Sequence, residues 1–354
     1  MYDVIIIGAG LAGCYIGREI KDERDVLIID KSKEVKVDSG IVSTDYDDFL
    51  PKSFVKKQIK KISLISENGT EVALRQKSPY AYLLKRKSLS KYLRKNLDIR
   101  IETPWKIDIF EDHVHVWTDH GDYKAKMVIG ADGANSFTRK QMGIKSPDIY
   151  TGVMASAPIR KRRGIDVFLN KNYSESFYAW YIESNGEYGL ISKHPKQKFD
   201  NLKKDKEFKN TSFYSRPIAL GPVKSYNFRS ILVGESCGQV KPISGGGIIY
   251  TLKSSKKALK AINKALDYND FFTPFKNYDK HWKRMFKKQM RKQFIFKSIY
   301  KRLKNEDINS LLNQYKKDIE SWDGFDYDDL ASEFTNVDKK KLIKTLLKMP
   351  LMLI

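Results

Sequence analysis

Three glycines at positions 8, 10 and 13, set between a β-branched run and the start of a helical pattern, constrain this chain more than any other feature. Tyr2 to Ile7 reads as a buried parallel strand, and Leu11 to Lys21 as the helix that follows it. In that setting Gly8 permits the tight turn, Gly10 lets a pyrophosphate approach the backbone, and Gly13 lets helix and strand pack closely. The unpaired N–H groups at the helix start carry partial positive charge for the phosphates. Asp30 follows a second buried strand, Asp25 to Ile29, and a carboxylate there accepts hydrogen bonds from ribose hydroxyls. Together these features predict a dinucleotide site at the head of the chain. A mere strand–helix turn would leave Asp30 without a role.

Two later segments repeat the theme. Val128 to Ser136 and Ile231 to Gly238 are each a buried strand ending in glycines and a carboxylate, the place where ligands gather in parallel α/β sheets. Pro242 to Ile248 then sets three successive glycines before a helix, exposing a row of backbone N–H groups suited to an anion. Between these motifs the pattern changes. Lys56 to Leu74 reads as a hairpin, with Asn68-Gly69 supplying two positive-φ turn residues. Ser88 to Asn96 reads as helix, Ile99 to Ile129 as several strands, and Tyr150 to Leu220 as short aromatic-rich strands separated by loops such as Pro195 to Asp205. A helix starts near Ile248, and the pattern after Asp270 is helical to the end. The expected fold is therefore α/β: a Rossmann-like domain assembled from separated segments, an inserted antiparallel β-sheet domain, and a C-terminal helical region. The boundaries read as 1–53, 81–149 and 225–265 for the first, 54–80 and 150–224 for the second, and 266–354 for the third.

Length and charge narrow the class. A chain of 354 residues has room for about two domains, and 41% hydrophobic content excludes a wholly disordered one. The net charge of +23 favours acidic partners, and it is concentrated: residues 251–304 hold 17 Lys and Arg against three Asp. Phe271, Phe272, Trp282, Phe286 and Phe294 interleave with these cations at helix-like spacing. That marks a core face with lysines on the wet side rather than a nucleic-acid groove. The same cations, with the apolar face of Leu342 to Ile354, suit a peripheral contact with anionic lipid. No apolar run approaches a membrane span, no leader pattern is seen, and Cys14 and Cys237 cannot make a disulfide framework. The expected location is the cytoplasm, at most touching the inner face of the membrane. His113, His115 and His120 have no acid or cysteine at ligand spacing, so no metal is expected.

These motifs together resemble the FAD-dependent oxidoreductases typified by p-hydroxybenzoate hydroxylase, and within them the geranylgeranyl reductase family, including archaeal digeranylgeranylglycerophospholipid reductases. The resemblance implies that Gly8, Gly10, Gly13 and Asp30 bind the ADP half of FAD. It implies FAD contacts for Asp132 and Gly133, a ribityl contact for Gly234-Glu235, and a place beside the flavin pyrimidine for Pro242, Gly245, Gly246 and Gly247. Arg86 resembles the arginine that opens a helix near the cofactor. Asp38-Ser39-Gly40 is similar to the family's Cys-x-Gly segment, and Phe177-Tyr178-Ala179-Trp180-Tyr181-Ile182 to its Pro-x-x-Tyr-x-Trp-x-Phe-Pro motif. By that likeness the inserted sheet domain is the substrate domain, and Gly40, Phe177, Tyr178, Trp180 and Tyr181 line the prenyl-chain cavity. Tyr278 and Trp282 match a Tyr–Trp pair in the following helix.

The chain also departs from the family. Glu175 and Glu183 replace prolines, Glu235 replaces an aspartate, and Asp38 stands where many members carry a cysteine. The implied activity is saturation of isoprenoid C=C bonds by hydride transfer from reduced flavin N5, on geranylgeranyl chains of archaeal-type ether phospholipids or prenyl diphosphates. No catalytic residue is fixed by the motifs, Tyr178 being the one candidate proton donor. NAD(P)H or a ferredoxin-like protein would supply electrons. Alternatives are a monooxygenase of the same class using NAD(P)H and O2, or a non-catalytic flavin- or lipid-binding homologue.

Overall fold

The computed structural model describes residues 1–34, 39–156, 159, 164–207, 213–322 and 326–329. Asp38 and the apolar end from Leu342 to Ile354 lie outside these residues. The first sheet is built on β1 (Tyr2–Ile7), with β11 (Asp122–Gly130) and β2 (Val26–Asp30) parallel on either side. β18 (Ser230–Leu232) and β8 (Ile99–Ile101) extend it in parallel, and β17 (Tyr226–Asn227) closes one edge antiparallel. Side-chain alternation divides this sheet's residues between two cores. Val4, Ile6, Ile28 and Ile129 face α1 (Leu11–Ile20), α2 (Arg86–Arg94), α5 (Ile248–Tyr268) and α6 (Thr273–Arg302). Ile5, Ile7, Leu27, Ile29 and Val128 face β9 (Pro104–Ile109) and β10 (Val114–Thr118), the meander that covers the other side. Burial on both faces is why these strands read as unbroken apolar runs.

The second sheet runs β16 (Phe213–Leu220), β12 (Asp148–Ser156), β15 (Glu187–Ser192), β14 (Ala179–Ile182), β13 (Ile165–Leu169), β5 (Lys61–Ser66), β6 (Glu71–Arg75). It is antiparallel except where β13 meets β5 in parallel. That exception arises because the β5–β6 hairpin, from an earlier part of the chain, is added to the edge of the later strands. A third sheet, β3 (Ile41–Ser43), β7 (Ala81–Leu84) and β4 (Val55–Ile59), joins the two larger ones. In β7, Tyr82 and Leu84 enter the core of the first sheet, while Ala81 and Leu83 enter that of the second. A short helix, α3 (Phe137–Gln141), follows β11, and α7 (Asn305–Glu320) packs on the β5–β6 hairpin.

Three local expectations need correction. Pro195–Asp205 is a helix, α4, and not a loop. Proline sits in its first turn, where its missing N–H costs nothing, and Phe199 and Leu202 bury on the sheet, Phe199 stacked on Tyr188. At the β5–β6 turn only Gly69 has positive φ, at +87°. The connection is a longer loop in which the Asn68 carboxamide accepts from the Thr70 N–H at 3.1 Å, replacing the two-residue turn. Finally, the helical pattern does not run to the end, because residues 326–329 are non-helical.

Candidate functional site

Three loops converge at the carboxyl ends of β1, β11 and β18. Gly8 has φ +106°, and a Cβ there would lie 2.5 Å from the Ala131 carbonyl oxygen and 2.9 Å from the Asp132 Cα. A Cβ on Gly13 would lie 2.0 Å from the Gly8 carbonyl oxygen, so helix and strand touch backbone to backbone. Gly234 completes the junction, its Cβ position 3.5 Å from that of Ala12. Gly10 and Gly133 are different. Nothing lies within 4 Å of a Cβ built on either one. The start of α1 above this open ground carries no side-chain cap. Backbone N–H groups, the positive end of a helix dipole and space over two glycines are what a pyrophosphate needs, so these residues fit FAD.

The acidic residues are already partly engaged. Asp30 accepts from the Ala9 N–H at 2.6 Å and the Ser32 N–H at 2.9 Å, which fixes its carboxylate across the glycine loop. A carboxylate has about four acceptor positions, so two remain for hydroxyls. Asp132 accepts from the N–H and hydroxyl of Thr138 at 2.9 and 3.1 Å through one oxygen, while the other is buried without a partner. Burial pushes its carboxyl above the usual range. Glu235 is ion-paired with Arg216 of β16, so its charge is committed within the protein. Arg86 opens α2, and its Cγ would lie 2.6 Å from a Cβ on Gly40. These two predicted site residues therefore pack together.

Pro242 is buried at the start of the glycine turn. Gly245 has φ +66°, and a Cβ there would meet Ile191 at 2.7 Å, which wedges the turn against the second sheet. Gly247 leads into α5, whose start is likewise uncapped by any side chain. On the sheet side of this turn lies an apolar cavity. Ile243, Ser244 and Gly246 of the turn form one boundary, Ser39 and Ile41 another, and aliphatic residues of β5, β6 and β13 the floor.

Strand alternation divides the predicted aromatics. Tyr178 and Trp180 line the cavity. Tyr181 does not: it points to the opposite face of the sheet and is buried with Tyr188, Phe199 and Leu202. Phe177 lines a smaller neighbouring hollow with Lys297, Tyr178 and Phe296. Burial pushes the Tyr178 phenol up, against a hydrogen bond from Ser244, so its hydroxyl keeps its proton at neutral pH. Tyr278 and Trp282 serve as buried anchors, the Tyr278 hydroxyl donating to Leu232 O at 3.0 Å and the Trp282 indole to Ser225 Oγ at 2.8 Å.

Several residues at the site were not foreseen. Arg139 is buried and donates to Ala134 O at 3.0 Å and Ser236 O at 2.8 Å, tying the second loop to the third. Its place two residues into α3 gave no sequence signal. Lys297 is buried, with its ammonium 3.3 Å from the Phe177 ring centre and 4.1 Å from that of Tyr150. Its nitrogen has no hydrogen-bond partner, and burial pulls its pKa down to about 7. Trp322 and Tyr327 also line the cavity, from beyond α7.

No protein-family model matches the chain. Over 348 residues it is 28% identical to an uncharacterized protein of Methanocaldococcus jannaschii, covering 89% of this chain and 88% of that one. The digeranylgeranylglycerophospholipid reductase of the same organism is 25% identical over 375 residues, with 92% and 93% covered. Among solved structures, a geranylgeranyl bacteriochlorophyll reductase-like protein from Thermoplasma acidophilum superposes with TM-score 0.83 at 18% identity, covering 98% and 99% of the two chains. Over nearly its whole length the chain is thus similar to geranylgeranyl reductases. The p-nitrophenol 4-monooxygenase of Pseudomonas putida shares the fold more distantly, with TM-score 0.70 at 13% identity and 98% of each chain covered.

Proposed function

We propose that the protein is an FAD-dependent reductase that saturates isoprenoid C=C bonds, acting on geranylgeranyl chains of an ether phospholipid or a prenyl diphosphate. The observation that carries this reading is the apolar cavity beginning at the Ile243–Gly246 turn, which the resemblance sets beside the flavin. Gly8, Gly10, Gly13, Asp30 and Gly133 would hold the ADP half of FAD, and the turn at Pro242, Gly245, Gly246 and Gly247 its ring end. Reduced FAD, when bound, supplies hydride to one alkene carbon. The chain's own contribution is to hold the alkene in register, exclude water, and present a proton; Tyr178 is the protonated group at that boundary.

Electrons would come from NAD(P)H or a ferredoxin-like protein. Among the described residues no helix is long and apolar enough to cross a membrane. The lipid substrate would instead be met at the inner face of the membrane by the cationic side of α6.

The test is anaerobic. FAD-loaded protein is reduced with dithionite, freed of excess reductant and mixed with a geranylgeranylated ether phospholipid. Flavin reoxidation together with a two-hydrogen gain in substrate mass is the expected result. Absence of reoxidation until air is admitted, with substrate gaining oxygen, would replace the reductase with a monooxygenase. Absence of both would leave a binding homologue.

A further inference from the structure

Part of the cavity wall comes from a stretch of chain that neither the glycine motifs nor the aromatic strand reaches. Trp322 and Tyr327 both line the cavity, and the residue after Tyr327 is Asp328, only 3% exposed. The Asp328 carboxylate accepts from the Ser43 hydroxyl at 2.6 Å and pairs with the Lys241 ammonium at 2.8 Å. Its backbone carbonyl accepts from the Gln293 side-chain amide at 3.0 Å. One short segment is thereby tied to β3, to α6 and to the residue just before Pro242. Lys241 is itself buried; its N–H donates to Gly246 O at 3.0 Å and its carbonyl accepts from the Gly245 N–H at 2.9 Å. The ammonium also lies 4.3 Å from the Tyr327 ring centre, and that ring stacks with Tyr80.

A buried ion pair is a poor source of stability, because desolvating two charges offsets much of their attraction. What a fully partnered polar cluster does well is select one arrangement over its neighbours. The arrangement selected here is the placement of the Tyr327 ring in the wall of the cavity. Burial alone would raise the Asp328 carboxyl, but Lys241 and Ser43 together hold it below the usual range, so it is charged in the folded protein.

We infer that Asp328 is a positioning residue that seats Tyr327 in the cavity wall, and that this side chain sets the size of isoprenoid chain admitted. The inference rests on the reading of the cavity as the isoprenoid site. Its test compares the full-length, FAD-loaded protein with Asp328→Asn, Asp328→Glu, Lys241→Met and Tyr327→Ala.

Two readouts are taken. The first is kcat/KM for a geranylgeranyl and for a geranylfarnesyl ether phospholipid, one isoprene unit longer. The second is displacement of bound cis-parinaric acid by the two corresponding prenyl alcohols, which needs no turnover. Asp328→Asn, Lys241→Met and Tyr327→Ala should each shift preference toward the longer chain by about tenfold, mainly through KM, the scale on which a hydrophobic pocket discriminates size. Asp328→Glu should restore most of the wild-type preference. Hydrogen exchange should show lost protection across residues 326–329 in Asp328→Asn.

An unchanged chain preference in all variants overturns the inference, as does unchanged exchange in Asp328→Asn. If the wild type turns over neither lipid, the reductase reading fails while the displacement ratio still decides this one.

Discussion

Gly10 and Gly13 belong to one motif but answer to different demands. Gly13 is required by the protein itself, because any side chain there collides with the Gly8 carbonyl. Gly10 is required by nothing the chain contains. Gly10→Val should therefore leave the apo-protein's melting temperature within about 2 °C, since unstrained surface changes cost little, while abolishing FAD binding. Absorbance of the purified protein at the flavin band, set beside a thermal melt, separates the two effects. Stoichiometric FAD in the variant would remove the pyrophosphate assignment. Gly13→Ala should fail earlier, at folding.

Lys297 makes a second residue-scale case. An ammonium held down to about 7, against 10.5 for a free lysine, destabilises the native state while it stays protonated. Between those two values the unfolded chain binds more protons than the folded one, so stability rises with pH across that window. Lys297→Met should raise the melting temperature by about 3 °C or more at pH 6, with the gain shrinking toward pH 10. A gain that does not change with pH would mean that the two ring faces already compensate the charge.

At the scale of elements, β14 shows how far the sequence could be read. Its aromatic run announced a strand, and the period of two divides its residues between cavity and core once the sheet has two packed faces. The resemblance treats the run as a unit and does not assign faces; Tyr181 turns away from the cavity to pack in the core that α4 covers with Phe199 and Leu202. The predicted contrast is sharp. Trp180→Ala should impair prenyl reduction while leaving bound FAD and stability largely intact. Tyr181→Ala should cost about 3–5 kcal/mol of stability, as large aromatic truncations in cores do. Chemical denaturation and steady-state turnover of the two variants, measured side by side, check this. The β1–α1–β2 unit was legible almost residue by residue, since burial on both faces and three glycines leave few alternatives. What stayed hidden was long-range: Arg139, Lys241 and Asp328 gain their partners only when separate segments meet, and no local pattern encodes that.

Across the whole molecule the charge excess gathers on one side of α6. Lys276, Lys280, Arg284, Lys287, Lys288 and Arg291 are exposed there, together with Met285, Phe294 and Ile295, while Phe275, Tyr278, Trp282 and Phe286 fill the core side. The same helix carries Phe296 into the cavity wall. A lipid drawn to this face would meet the helix that borders the cavity. Lys287→Glu, Lys288→Glu and Arg291→Glu combined should weaken binding to phosphatidylglycerol vesicles by about 100-fold or more, at about 1 kcal/mol per cation lost. Turnover of a detergent-solubilised substrate should change little. Vesicle sedimentation at two salt concentrations checks both the magnitude and its screening. Equal binding by wild type and variant would detach this face from the membrane.

The meeting of Gly8 with Ala131 and of Ala12 with Gly234 has a consequence for how the protein comes into being. The proposed nucleotide crevice is shared among pieces of chain that leave the ribosome far apart in time. The amino-terminal glycine loop emerges early, and its contact with Gly234 can form only once β18 has been made. On the proposed reading, cofactor capture would be a late event of biosynthesis, and a chain truncated before β18 would emerge colourless however well its first strand had formed.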